Sequence, residues 1–138
     1  MDGCSKQKAK MVKGYYEYDP VIYPRLLWVA IGVGLKDLKE AFDELPDDDD
    51  GVEYNGVVYE KVSRKSDKRY GVLACFPSRK VMTMNVLCHE ASHIVDNIEE
   101  QTGIEHGGEP SAYLIGWVAK SLNEARLNNG VFIKIEEK

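Results

Sequence analysis

The sequence predicts an α+β domain, and three observations carry that prediction. β-forming residues crowd the first half of the chain, around 15–31, 52–59 and 71–76. Two stretches with helical spacing follow, near 80–102 and 109–126. Strands first and helices afterwards, without regular alternation, read as α+β. The third observation is His89-Glu90-Ala91-Ser92-His93 on the first of those helices, a pattern whose polar residues share one helical face. The expected architecture is a short sheet containing antiparallel strands, packed against that helix and a second, buried one.

Bulk properties narrow the possibilities. With 138 residues and 43% hydrophobic content, the chain suffices for one domain with a true core. Its formal charge of -5 implies no basic face, which argues against nucleic acid as a partner. No apolar run reaches the 18 or so residues that a membrane span needs. The first 13 residues are polar and basic, with no apolar core of a signal peptide. Three cysteines (Cys4, Cys75 and Cys88) show no CxxC spacing. They suggest a reducing compartment, and Cys75 and Cys88 read as small core residues. A cytoplasmic protein is the expectation.

In order along the chain, residues 1–14 read as a loose arm, and 15–138 as the single domain. Pro20 and Pro24 rule out a continuous helix in the aromatic stretch that follows. An extended entry and a buried strand over about 25–31 are expected, closed by Gly32 and Gly34. Leu35, Leu38, Ala41, Phe42 and Leu45 repeat at helical spacing, predicting a helix over 35–45 that Pro46 ends. The acidic run 47–50 lacks the alternate acids of an EF-hand loop and reads as a solvated loop. Asn55-Gly56 lies between β-formers and predicts a hairpin over 52–59. Ser63 to Arg69 reads as a polar turn, and 71–76 as a compact strand stopped by Pro77.

The central helix is expected to start at about 80–83 and to end at Thr102-Gly103, with Gly103 as a left-handed cap. At about 100° per residue, Leu87, Ala91, Ile94, Val95 and Ile98 form a core-facing stripe. His89, His93 and Asp96 lie on nearly the opposite side, where Met82 and Val86 also fall. Apolar neighbours on that side suggest that the histidine face lines a cleft. The second helix opens at Glu109-Pro110, and Ala112 to Ala119 is apolar almost all round. Gly116 is expected to let it approach the first helix closely. Val131 to Ile135 reads as a last strand.

The chemistry follows from spacing. Residues four apart on a helix present both imidazoles to a single metal ion, and HExxH is the pattern of zinc hydrolases. Glu90, beside the pair, is placed to take a proton from the water that the metal activates. Catalytic zinc sites use three protein ligands, so a third is required. Glu109 is the choice, at the start of the second helix, although a Glu there also complements the helix dipole. His106 is the alternative ligand, followed by Gly107-Gly108. His106 or the Tyr113 hydroxyl could instead meet the reacting carbonyl oxygen. Asp96 could orient a ligand imidazole.

HEASH followed by a Glu-Pro helix resembles a minimal zincin metallopeptidase of the gluzincin type. CHEASHIVDNIEE together with GGEPSAYLIGWV is similar to small putative metallopeptidases encoded by phages and prophages, over about 20–126. The resemblance implies a zincin-like fold, Zn2+ held by His89, His93 and Glu109, Glu90 as general base, and a peptide or protein substrate. The chain departs from larger gluzincins in having Tyr113, not Asp, four residues after Glu109. It departs from the metzincin motif too, with Asp96 where that motif has Gly and Glu99 at its third-His position. Two other functions fit the same residues: a catalytically silent binding module, or an amidase acting on a non-peptide or cell-wall bond.

Overall fold

A computed structural model describes residues 12–46 and 55–135. Its centre is a six-stranded mixed sheet with strand order β3-β4-β5-β2-β1-β6. The strands are β1 (Gly14–Tyr18), β2 (Leu26–Ile31), β3 (Phe42–Asp43), β4 (Val57–Arg64), β5 (Tyr70–Phe76) and β6 (Val131–Lys134). Three helices accompany them: α1 (Leu35–Leu38), α2 (Met84–Thr102) and α3 (Glu109–Arg126). The α+β class holds. Four of the five strand pairings are antiparallel, and β2 with β5 is parallel.

Strand β2 shows why the sheet is layered on both sides. Leu27 and Val29 pack with Tyr16, Val72, Ala74 and Phe76 against the apolar stripe of α2 and against α3. Leu26, Trp28 and Ala30 alternate to the other face, where Leu38, Phe42 and Leu45 cover them. A strand buried on both faces reads as a continuous apolar run, which is the character of Leu-Leu-Trp-Val-Ala. The expected stripe of α2 is buried throughout, with Ile94 and Ile98 fully inaccessible.

Several expectations need correction. The helix over 35–45 is a single turn, after which the chain extends into β3. Glu44 adopts a positive φ of 72°, and Phe42 pairs with Arg64 of β4. Leu38, Phe42 and Leu45, the residues at helical spacing, are buried with Trp28 without forming a helix beyond Leu38. The polar turn over 63–69 is narrower than expected. Ser63 and Arg64 are the buried end of β4, and the reversal into β5 occupies 65–69. The hairpin centred on Asn55-Gly56 lies partly outside the described residues, as do most of the arm and the acidic run 47–50. Gly14, expected in the arm, already belongs to β1, and the Lys13 carbonyl accepts from the Ile135 amide.

The ends of α2 behave as the sequence predicts. Thr83 caps the start, its hydroxyl accepting from the Val86 amide. Gly103 ends it at φ 79°, its amide donating to the Glu99 carbonyl. Helix α3 differs from expectation. Leu114, Val118, Leu122 and Ala125 are buried, but Tyr113 and Ile115 face solvent. Nothing lies within 4 Å of a Cβ placed on Gly116, so that glycine serves no close helix approach. Cys88 is also exposed, in contrast to buried Cys75, whose thiol is pushed up to about 12 by burial. No helix among the described residues is long and apolar enough to cross a membrane.

Candidate metal centre on helix α2

Two contacts fix how α2 and α3 lie. Arg79, just before α2, donates to the carbonyls of Ala125 and Arg126 at the end of α3. Glu99, near the end of α2, accepts from the Ser111 hydroxyl at the start of α3. The helices are therefore antiparallel neighbours. On its other flank α2 runs beside β4: Glu90 packs against Gly56, and the Asn97 amide donates to Glu60 at 3.2 Å. The face between these flanks is open and carries His89, His93 and Asp96, all exposed. The histidines, expected to be covered, are exposed. A cavity of about 530 Å³ lies elsewhere, lined by Gly14, Tyr16, Gly32, Arg79 and Phe132.

His89 and His93 stand together as the spacing requires. Their ring centroids are 5.0 Å apart at an interplanar angle of 75°. Two imidazoles bound tetrahedrally to one zinc, with Zn–N of about 2.0–2.1 Å, place their centroids about 5 Å apart. The spacing of the two rings matches that of a pair sharing one ion. Glu90, one residue on, is turned away from solvent at 6% exposure, towards Gly56 and Phe76. Its carboxylate thus lies on the flank of α2 that meets the start of β4.

The remaining predicted residues lie further along. Glu109 opens α3 opposite the last turns of α2, whereas His89 and His93 belong to its first half. The sets of three metal-ligating side chains with donor atoms within 4.8 Å comprise, among the described residues, Asp96, Glu99 and His106. Glu109 does not join His89 and His93 at that spacing. Tyr113 is 77% exposed on the outer face of α3. His106 is held by Glu99, its Nδ1 at 2.9 Å from Oε1, and that bond raises its pKa.

Two residues escaped the sequence reading. Glu99 is 6% exposed and bridges His106 and Ser111. Its signal was the spacing His89–His93–Asp96–Glu99, in which it takes the third-His position of the metzincin motif. Glu60 is the other. The β4–β5 register shifts between Tyr59 and Val62, and Lys61 has φ 59°, the marks of a bulge. Bulges re-aim side chains beside functional sites, and this one accompanies the contact of Glu60 with Asn97. No sequence signal announces it. Compared with protein-family models, with curated proteins and with solved structures, the chain finds no match in any of the three.

Proposed function

We propose that the protein is a metal-dependent hydrolase of the HExxH type, a zinc peptidase with a zincin-like fold. The observation that carries this reading is the imidazole pair at 5.0 Å, with the carboxylate of the same motif, Glu90, buried on the neighbouring flank of the helix. His89 and His93 hold the ion, and an ion bound there supplies Lewis acidity to a water and to a substrate carbonyl. Glu90 takes the proton of the attacking water and returns it to the leaving amine. Its shielded position keeps that proton from bulk solvent. Glu109 is the proposed third ligand; because it stands opposite the last turns of α2, the start of α3 would have to shift, at glycines 107 and 108, for it to reach the pair.

The sheet supports a peptide as substrate. Strand β5 lies between β4 and β2, so it is interior and offers no edge to a peptide. Strand β4 is paired with β3 only at Ser63 and Arg64. Its first half lies beside Glu90 and pairs with β5. An extended peptide added along β4 would gain main-chain hydrogen bonds.

The test is metal content and peptide hydrolysis on wild type, Glu90→Gln, His93→Ala and Glu109→Ala. Zinc should fall by about one equivalent with His93→Ala, and its binding should be weakened with Glu109→Ala. Glu90→Gln should keep its zinc and lose hydrolysis by about 10²–10⁴-fold, the usual worth of a general base. Hydrolysis surviving Glu90→Gln sinks the mechanism. The uncovered histidine face favours a second reading, a metal-bearing binding module, which predicts zinc without turnover on peptides or on cell-wall amides.

A further inference from the structure

We infer that Asp96, Glu99 and His106 form a second divalent-cation site, separate from the His89–His93 pair and tying α2 to the loop before α3. Their donor atoms all lie within 4.8 Å of one another. The three are not a bare acidic surface cluster. One donor is an imidazole, and Glu99 is a carboxylate 6% exposed whose second oxygen is fixed by the Ser111 hydroxyl. Fixing one oxygen leaves the other, Oε1, facing His106 Nδ1 at 2.9 Å. Asp96 stands exposed one turn before Glu99 and opens the set to solvent.

Charge favours a cation here. Asp96, Glu99, Glu100, Glu105 and Glu109 fall between 96 and 119, where no Lys or Arg occurs. Among the described residues the ion-pair partner of Glu99 is His106 alone. An ion would take the place of the proton that His106 Nδ1 shares with Glu99 Oε1, so binding releases a proton. One imidazole with two carboxylates suits a first-row transition ion such as Zn2+ or Mn2+, whereas Mg2+ and Ca2+ prefer oxygen throughout. Such an ion would clamp the last turns of α2 to the 103–108 loop and, through Ser111, to α3.

The inference stands independently of the hydrolase reading, and the experiment separates them. His89→Ala/His93→Ala protein, stripped of metal, is titrated with zinc while metal content and thermal midpoint are followed. One bound equivalent is expected, with a midpoint raised by several degrees and no rise with Mg2+. Adding Asp96→Asn and His106→Gln, with Glu99 retained because it is buried, should remove both. Circular dichroism verifies that these variants are folded. No zinc in the double variant, or zinc indifferent to Asp96 and His106, overturns the second site and leaves the hydrolase untouched. One equivalent in both wild type and double variant supports the second site and removes the metal from the histidine pair.

Discussion

A Cβ at Gly56 would stand 2.9 Å from Glu90 Cγ and 3.0 Å from a Phe76 ring carbon, closer than side chains normally approach. The glycine therefore sets where the buried carboxylate of the motif can rest. Gly56→Ala should cost about 1–3 kcal/mol, the usual range for overpacking, and lower peptide hydrolysis with it. Urea denaturation and a peptide assay check this; unchanged values in both would show that Glu90 moves aside freely. Arg64 plays a comparable part on the opposite sheet face. It is 7% exposed, pairs with Glu17 and Asp67, and lies 5.5 Å from the Trp28 ring. Arg64→Met strands the partly buried Glu17 and should cost about 2 kcal/mol, less than the 3–5 of a fully buried pair. The Arg64 guanidinium also holds the Asp67 carboxyl at about 2, below the ordinary 3.8. That stabilisation is complete above about pH 4 and is lost as pH falls through 2. Asp67 is substantially exposed, so the effect should stay under about 1 kcal/mol. Asp67→Asn should flatten this part of the acid-unfolding curve.

At the scale of elements, the ends of α2 and the last strand offer the clearest tests. Gly103 closes α2 at φ 79°, and a Cβ there meets nothing within 4 Å. The cost of Gly103→Ala is then conformational alone, about 1–2 kcal/mol, without disturbance of the core. Gly14 differs in kind. A Cβ on it would run into the Ile133 carbonyl oxygen and the Phe132 ring, and a backbone atom in a paired strand cannot yield cheaply. Gly14→Val should therefore detach β6 from β1, read as lost amide protection over 131–134, with α2 unaffected. Helix α3 carries a different lesson. Its apolar text from Ala112 to Ala119 fits burial on all sides, but one flank of it meets α2 and the sheet while Tyr113 and Ile115 stay in water. A helix at the rim of a two-layer domain has only one layer to pack against.

Over the whole molecule, what could be read in advance was local. The strands 26–31 and 71–76, the bounds of α2 and α3, and the last strand followed from periodicity, proline and glycine. These signals act within a few residues, where sequence distance and spatial distance coincide. The imidazole pair was legible for the same reason, since four residues along a helix bring two side chains together whatever surrounds them. The region 35–45 was not legible: pairing of Phe42 with Arg64 overrode the helical spacing, and Arg64 lies 22 positions away in the chain. Nor was the burial of Glu99, which depends on Ser111 and His106 reaching it across the loop. By itself the sequence determined the α+β class and the placement of His89, Glu90 and His93 on one helix. The tertiary structure decided which face of that helix stays open, which strand lies beside Glu90, and which acids gather around His106. Those outcomes depend on how distant segments pack, and packing is a property of the whole chain rather than of any stretch within it.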